Sequence, residues 1–500
     1  MADTMSSNTT KPINLQTGWP SARLCASTAI FHGAQQVLTS ESDAGPAMLY
    51  GPRIGHTPLR ESLAAWLSTF YAQTRAMGGD GATAISTTTK DRIAISNGAS
   101  GNLANILQKF ADPLYTRAIF LAEPTYFLAC PIMEDNGFRG KLRGIPEGGP
   151  EHGGLDLAFL RQCLQDTEAE TVRIAAESGR VDGPALKTGP SYPKVFKYII
   201  YVVPTFANPS GKTMAEQTRR ELVRAAREFD ALIISDDVYD YLSWPATRTG
   251  DENGTTMALL PSAPPPPPSR LVDIDRGMDG YDEEWGNTLS NGSFSKIIGP
   301  GVRVGWADCA PRLAFELGEV GSSSSGGGPA HLSSTFVDKM IRSGELDVHI
   351  QKVLIPTYRR RYHVMMECIT QLLVPLGVKV ESSSLPDKEA STGVAGGFFA
   401  YLRLPDDVPH ARTVASVALR ERGLRIAFGH LFVVAGDTES IARAEGPAGI
   451  ARCFRLCWAW HEEDELREGG AEVSGYACVH TRENVERRGY SGRRDRRAVN

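Results

Sequence analysis

The chain has 500 residues, of which 41% are hydrophobic and 22% charged, a composition typical of a globular protein with more than one domain. Its 53 basic and 58 acidic side chains give a net charge of −5, so no general attraction to nucleic acid or to anionic lipid is expected. Residues 1–18 are polar, and no apolar run approaches the roughly 20 residues of a membrane span, so neither a secretory signal nor a spanning helix is expected.

Helices and strands alternate from about residue 45 to residue 335. The amphipathic stretch Leu59–Thr69 predicts a helix, and the β-rich run Arg92–Ser96 leads through a glycine turn into a helical stretch, Asn102–Phe110. Further elements are predicted as strands at Arg117–Glu123, Lys197–Val203 and Ala231–Ser235, as a helix at Ala215–Phe229, and as strands on both sides of Lys296. Apolar strands separated by helices favour an α/β fold, with a mostly parallel sheet that binds ligands beyond the carboxyl ends of its strands.

Three segments interrupt this alternation. Residues 176–194 predict a polar loop, and Pro264–Pro268 predict an exposed polyproline arm. The serine- and glycine-rich run 321–334 predicts either a flexible linker or a loop that lines the site.

A second, smaller α+β domain is predicted after residue 335. A long helical region is followed by two apolar strand signals, AGGFFAYLRLP and CFRLCWAW. The second contains Cys453 and Cys457, for which buried reduced thiols fit better than zinc ligands or a disulfide, so no metal site is predicted and a cytoplasmic setting fits best. The predicted divisions are an N-terminal arm that also contributes to the small domain (1–45), a large domain (46–335), the small domain (336–467) and a disordered basic tail (468–500).

An anion site is predicted where the strand Arg92–Ser96 meets its helix. Because this turn joins a strand to a helix, backbone N–H groups and the helix dipole point at a ligand that binds there. The small residues Gly98, Ala99 and Ser100 would let an anion approach the main chain. Glycine turns of this kind are also common for packing alone. Another part of the sheet could add the hydroxyls of Ser293 and Ser295 and the guanidinium of Arg303, which suit a dianion.

Four residues that follow other predicted strands could surround a planar heterocycle. Tyr126 could lie flat against a ring, although a core tyrosine is an equal interpretation. Asn208 offers an amide at a strand end, although turn chemistry alone would explain it. Asp236 could keep a pyridine nitrogen protonated or could cap a helix, and Tyr239 could donate a hydrogen bond to a phenolic ring oxygen.

Lys296 is the most informative single residue. It follows a Ser-Phe-Ser step and precedes Arg303 by seven residues, so its amine could form an imine beside a phosphate site. A lone lysine is usually a solvated surface charge. Together with the anion turn and the residues around the ring, however, it predicts an enzyme that uses pyridoxal 5'-phosphate (PLP).

These segments together resemble the class I/II aminotransferase family of fold type I, over roughly residues 13–465. The resemblance implies a large domain with a mostly parallel, seven-stranded sheet flanked by helices, a smaller α+β domain, and a homodimer with shared active sites. The segments INLQTGWPS, SNGSFSKIIGPGVRVGWAD and RLCWAWHEE are most similar to the fungal branch related to 2-aminoadipate and kynurenine aminotransferases.

The resemblance also implies a role for each candidate residue. Lys296 would bind the cofactor covalently and move the proton, Asp236 would pair with the pyridine nitrogen, and Tyr126 would stack on the ring. Asn208 and Tyr239 would hydrogen-bond the ring oxygen, and Tyr50 would reach the phosphate in the neighbouring subunit. The substrate would be bound by Arg455, Asn208 and Gly18. The residues that would bind the phosphate are Gly98, Ala99, Ser100, Ser293, Ser295 and Arg303. Of these, Arg455 would clamp the substrate α-carboxylate.

The implied reaction is transfer of an amino group between an L-amino acid, 2-aminoadipate-like or aromatic, and a 2-oxo acid such as 2-oxoglutarate. The run ARLCASTAI after GWPS departs from the family pattern, and so does Phe428-Gly429, where proline-glycine is usual. This leaves open a PLP-dependent lyase or cyclase of fungal secondary metabolism. A DNA-binding regulator with an aminotransferase-like sensor is disfavoured, because only about 45 residues precede the predicted large domain.

Overall fold

The computed structural model describes residues 12–77, 87–148, 154–178, 185–246, 268–381 and 393–479. Within these ranges no helix is both long enough and apolar enough to cross a membrane. The strands are β1 (Ile93–Ser96), β2 (Ala118–Ala122), β3 (Leu142–Ile145), β4 (Tyr198–Val202), β5 (Ala231–Asp236), β6 (Ser243–Pro245), β7 (Thr288–Ser293), β8 (Gly305–Cys309), β9 (Lys379–Val380), β10 (Val394–Gly396), β11 (Phe399–Arg403), β12 (Ala427–Phe428) and β13 (Cys453–Cys457).

The α-helices of the same ranges are α1 (Ser27–Leu38), α2 (Ala44–Ala47), α3 (Thr57–Met77), α4 (Gly98–Phe110), α5 (Ala129–Met133), α6 (Leu157–Ser178), α7 (Glu216–Glu228), α8 (Leu271–Gly277), α9 (Pro311–Gly318), α10 (Gly321–Gly326), α11 (His331–Arg342), α12 (Glu345–His349), α13 (Ile355–Cys368), α14 (Ala411–Arg422), α15 (Thr438–Glu445) and α16 (Glu463–Val479).

Seven strands form the central sheet, in the order β1-β8-β7-β5-β4-β2-β3. The pairs among β3, β2, β4, β5 and β7 are parallel, whereas β8 runs antiparallel to both of its neighbours. Alternate side chains of one strand enter different cores. Ile199 and Tyr201 pack with α4, α5 and α9, whereas Tyr198 and Ile200 pack with α6, α7 and α8. The predicted α/β fold, with its mostly parallel seven-stranded sheet, is therefore confirmed.

A second sheet of four antiparallel strands has the order β12-β13-β11-β9. The N-terminal arm lies against this sheet, because the Leu15 N–H donates to the Arg425 carbonyl and the Cys457 N–H donates to the Leu15 carbonyl, both over 2.9 Å. A two-stranded ladder of β6 and β10 joins this part of the chain to the central sheet. Cys453 and Cys457 are buried free thiols, as predicted. The domain boundaries at residues 45 and 335 stay predictions.

Three predictions about irregular segments need correction. Residues 321–334 are neither a linker nor a loop lining the site, since they contain α10 and the start of α11, and the Gly328 N–H donates to the Gly51 carbonyl over 3.0 Å. Residues 176–178 belong to α6, whereas 185–194 are irregular as predicted. Residues 179–184 and Pro264–Pro267 of the predicted arm lie outside the described ranges.

The predicted tail is also wrong for residues 468–479, which are part of α16. Glycine suggests disorder in the sequence, but here it permits close packing. A Cβ on Gly470 would lie 2.7 Å from the Cβ of Cys368 in α13. Residues 480–500 lie outside the described ranges.

Candidate active site

A cavity of about 380 Å³ opens at the carboxyl ends of the parallel strands. It brings together residues from β4, β5, β7, the start of α4, the N-terminal arm and β13. The predicted site residues that line it are Gly18, Ala99, Ser100, Tyr126, Asn208, Asp236, Tyr239, Ser293, Ser295, Lys296, Arg303 and Arg455. Gly98 lies just behind the wall, where it contacts Arg303, and Tyr50 lies outside the cavity.

Lys296 ends a short 3-10 turn that follows β7. Its Nζ donates a hydrogen bond to the Gly18 carbonyl over 2.8 Å and lies 5.4 Å from the centre of the Phe398 ring. Burial lowers the pKa of this amine from its ordinary value to about 8, and Arg455 adds to the effect. A substantial fraction of the amine is therefore neutral and nucleophilic near physiological pH.

Asp236 is the last residue of β5 and is buried. Its Oδ2 accepts a hydrogen bond from the Tyr201 hydroxyl over 2.6 Å, whereas its buried Oδ1 has no partner among the described residues. Burial raises the pKa of Asp236 to about 6, while the Tyr201 hydrogen bond and the Lys296 charge act in the opposite direction. Residues 237–242 form a turn that leads into β6, so the alternative of a helix cap is wrong. The carboxylate keeps one oxygen for a donor that the described residues do not supply.

The predicted anion site lies at the start of α4. Gly98 has φ +77°, and a Cβ on it would lie 2.7 Å from Nη2 of Arg303, so glycine is required here. The Arg303 guanidinium is anchored on backbone carbonyls, at 2.8 Å from Asn97 and 3.0 Å from Pro300. On the facing turn, the Ser295 N–H donates to Oγ of Ser293 over 3.1 Å. Helix N–H groups, hydroxyls and a fixed guanidinium suit a phosphate group.

Arg455 projects from β13 into the cavity and is buried. Its guanidinium donates to Oδ1 of Asn208 and to the carbonyl of Gln16, and it lies 4.2 Å from the centre of the Phe399 ring. Burial lowers the pKa of Arg455 from its ordinary value. The buried Nε has no partner in the ranges described, so the guanidinium retains a donor for an anionic ligand.

Two phenols flank these charges. Burial raises the pKa of Tyr126 to about 12 and the pKa of Tyr239 well above its usual range, so both hydroxyls stay protonated and can donate. Asn208 lies in a turn, and it also lines the cavity beside Arg455, so its position is explained by more than turn chemistry.

Several cavity residues are not predicted from the sequence. Tyr201 lies on β4, where every residue is buried, so sequence alone does not distinguish it from a core tyrosine. The others include polar residues and an apolar group, which consists of Trp19, Leu103, Phe127, Leu128 and Ile132. For two of them the sequence does give a signal, because Trp19 follows the predicted site residue Gly18 and Phe127 follows the predicted site residue Tyr126.

The residues present fit PLP at three separate points. The unpartnered Oδ1 of Asp236 suits a protonated pyridine nitrogen, the Lys296 amine of lowered pKa suits an aldehyde, and the turn at Gly98 suits a phosphate. These three features line or border one cavity.

The family model "Aminotransferase class I and II" matches residues 10–469. The uncharacterised protein YER152C of Saccharomyces cerevisiae is 34% identical over 94% of this chain and 97% of its own. Aromatic-amino-acid aminotransferase 1 of Thermococcus litoralis is 24% identical over 92% and 87%. The crystal structure of Pyrococcus horikoshii kynurenine aminotransferase in complex with PMP superposes with a TM-score of 0.66, at 23% identity over 94% of this chain and 91% of that one.

Proposed function

Because this chain belongs to the class I and II aminotransferase family, a family of PLP-dependent transaminases, we propose that it transfers the amino group of an aromatic L-amino acid to a 2-oxo acid such as 2-oxoglutarate. The observation that carries this proposal is the cavity that contains the Lys296 amine, the Asp236 carboxylate and the Arg455 guanidinium, bordered by an apolar mouth.

When bound, PLP supplies the electron sink that makes the Cα–H of an amino acid acidic. In this proposal Asp236 accepts a hydrogen bond from the pyridine nitrogen through its free Oδ1 and keeps that nitrogen protonated. The Nζ of Lys296 takes the proton from Cα and later returns it as a general acid. Its lowered pKa suits both steps, because the amine can exist in either form near neutral pH.

Arg455 fixes the α-carboxylate and thereby aligns the Cα–H with Lys296. The Tyr239 hydroxyl, which burial keeps protonated, donates to the ring oxygen together with Asn208. The phosphate is held by the turn that starts α4, by the two serines after β7 and by Arg303. These residues bind and orient, whereas Lys296 moves the proton.

The side-chain end of the cavity favours an aromatic donor over a 2-aminoadipate-like one. The apolar group in the lining consists of Trp19, Leu103, Phe127, Leu128 and Ile132. Among the described residues that line the cavity, the cationic ones are Lys296, Arg303 and Arg455, and the proposal assigns each of them to another group. An aromatic ring can therefore bury its surface against apolar side chains, whereas a distal carboxylate, that of a 2-aminoadipate donor or that of the acceptor 2-oxoglutarate, has no free counter-ion there and must stay in contact with water.

We further propose a homodimer in the cytoplasm. Tyr50 is 88% exposed, and its neighbours Met48 and Leu49 are 68% and 71% exposed, so three large side chains in succession face outwards. A partner chain would cover them and would bring Tyr50 to the phosphate of the second site. Mixing Lys296→Ala chains with Tyr50→Ala chains should then restore part of the activity, because one site of each hybrid dimer contains both residues.

The central test is a single-turnover experiment on the purified protein reconstituted with PLP. Phenylalanine, tyrosine or kynurenine should bleach the visible band of the bound cofactor, and 2-oxoglutarate should restore it. 2-Aminoadipate, glutamate and lysine serve as charged comparison donors. A preference of about tenfold or more for 2-aminoadipate would contradict the aromatic assignment. Ammonia or thiol release without any 2-oxo acid would contradict transamination and would favour the lyase alternative.

A further inference from the structure

Three side chains of metal-binding type meet on the second sheet, outside the cavity described above. His410 immediately precedes α14, His430 lies in the 3-10 turn after β12, and Glu445 is the last residue of α15. Oε1 of Glu445 is 2.7 Å from Nε2 of His430, and Oε2 is 3.4 Å from Nδ1 of His410. One ligand atom from each of the three residues lies within 4.8 Å of the other two.

The donor set selects among cations. Two imidazoles and one carboxylate, with water in the fourth position, form a common zinc environment, whereas Mg²⁺ and Ca²⁺ prefer oxygen ligands. Ligand bonds of about 2.0–2.1 Å in a tetrahedron place neighbouring ligand atoms about 3.3 Å apart. The two contacts of Glu445 are made by different oxygens, and one ligand atom from each residue lies within 4.8 Å of the others. The ligand atoms must therefore approach one another by at most about 1.5 Å, which rotations of the exposed His410 and Glu445 side chains can supply.

Position and charge also suit a cation. Glu445 ends α15, where the helix dipole adds partial negative charge. His410 and Glu445 are 39% and 45% exposed, which leaves a route for an ion, whereas His430 is only 14% exposed and is held in place. The exposed Arg412 opposes a cation, and its charge is screened by solvent. The buried Nδ1 of His430 has no acceptor among the residues described. A zinc-bound imidazole usually donates its second N–H to an acceptor, and the lack of one weakens binding, so we expect a zinc affinity on the order of micromolar.

We propose that His410, His430 and Glu445 form a zinc-binding site separate from the PLP site. Its elements contact residues that lie beside the cavity. His430 is two residues from Phe432, whose ring centre lies 5.2 Å from the Arg455 guanidinium and whose carbonyl accepts from the Thr125 N–H over 2.9 Å. Glu445 is two residues from Arg443, whose Nη2 lies 2.8 Å from Oε2 of Glu123. Zinc would therefore restrain segments that support the substrate end of the cavity.

The test uses PLP-loaded protein that has been treated with a chelator and then exposed to ZnCl₂ in a buffer free of phosphate. With zinc in excess of a micromolar Kd, we expect one bound zinc ion per chain by equilibrium dialysis and elemental analysis, and a Tm that rises with zinc concentration. His430→Gln and Glu445→Gln should each bind zinc at least about 100-fold more weakly and lose the Tm response. His410→Ala changes an exposed position before α14, so it remains informative if His430→Gln folds poorly.

The matched control is His32→Ala. Nδ1 of His32 lies 2.6 Å from Oε1 of Glu345, so this exposed pair has the same His–Glu chemistry, and the described residues offer it no third ligand. His32→Ala should bind zinc like the unsubstituted protein. Three results would each overturn the proposal: absence of stoichiometric zinc, zinc binding that persists in the variants of all three ligands because zinc sits on the cofactor or a thiol, or an equal loss in His32→Ala.

Discussion

The two ends of the active-site cavity are built in different ways. At the cofactor end, Asp236 and Lys296 follow neighbouring parallel strands, so sheet topology alone brings them together. At the substrate end, Arg455 on β13 donates to Gln16 of the N-terminal arm, across 439 positions of sequence. The cofactor end is set by one sheet, whereas the substrate end depends on how distant segments pack. Substitutions at the first should therefore affect cofactor chemistry, and substitutions at the second should affect substrate recognition.

The largest effect is expected from Lys296→Ala. Without this amine the Cα proton has no base, and the cofactor has no covalent attachment, so kcat should fall by about 10⁴-fold or more. Stopped-flow and steady-state rates measure this, with a circular dichroism spectrum as the folding control. Activity within tenfold of the unsubstituted enzyme would exclude Lys296 as the base.

Asp236→Asn should lower kcat by about 10³-fold, because a neutral amide cannot keep the pyridine nitrogen protonated. PLP should also dissociate faster, which the visible absorbance follows. The buried neighbour Asp237 provides the control, since its carboxylate already accepts from the Ser235 hydroxyl over 2.5 Å and from Ser290. Asp237→Asn should alter stability more than the cofactor spectrum, and the reverse pattern would reassign the two carboxylates.

At the substrate end, Arg455→Lys keeps the charge but loses the planar fork, so kcat/KM for amino acids should fall by about 100-fold. The PLP affinity should change far less, since Asp236 and Arg303, which are proposed to hold the pyridine nitrogen and the phosphate, are not hydrogen-bond partners of Arg455. If the variant loses PLP instead, the two ends are coupled and the comparison fails.

Tyr201→Phe tests a residue that supports the cofactor end from within β4. A hydrogen bond to a charged group is worth about 2 kcal/mol, so PLP affinity should fall by at most roughly 30-fold, because the bond is already present without the cofactor. The pKa of Asp236 should rise because the hydroxyl that stabilises the carboxylate is lost. Tyr198→Phe is the control, since this tyrosine lies on the same strand and its hydroxyl donates to Glu168 over 3.0 Å instead. Equal effects in both variants would indicate a loss of packing.

The smallest effect concerns pH. Only neutral Lys296 attacks the PLP aldehyde, and a pKa of about 8 makes about one amine in eleven neutral at pH 7 and most of them neutral at pH 9. The rate at which PLP combines with the apoprotein should therefore rise about tenfold between pH 7 and pH 9 and then level off. A rate that keeps rising beyond pH 10 would indicate an unperturbed lysine.

Much of the cofactor end can be predicted from the sequence, because chemistry and position are encoded locally. A strand followed by Gly98-Ala99-Ser100, or by Asp236, indicates both a residue type and a place beyond a strand end. The substrate end follows mainly from family resemblance. Nothing near Trp19 or Leu128 in the sequence indicates that these residues share a wall, because that depends on tertiary packing.

The errors have the same physical origin. The composition of residues 321–334 and 468–479 suggests flexible chain, yet they contain α10, the start of α11 and part of α16. Long-range contacts hold both segments, such as Gly328 on Gly51 in the turn between α10 and α11, and Gly470 against Cys368. Likewise, the antiparallel direction of β8 cannot be predicted from its apolar pattern, because a buried strand looks the same in either direction.

The hydrogen bond between the Lys296 amine and the Gly18 carbonyl has a practical consequence. Trp19 is the next residue, and its indole is 62% exposed at the cavity mouth, so a natural fluorophore stands beside the nitrogen that must give up this contact when the coenzyme attaches. Emission from that indole should thus report the loading of PLP in real time without any label. Because the arm carries both Gly18 and Trp19, fusion partners added ahead of it should be joined through long spacers.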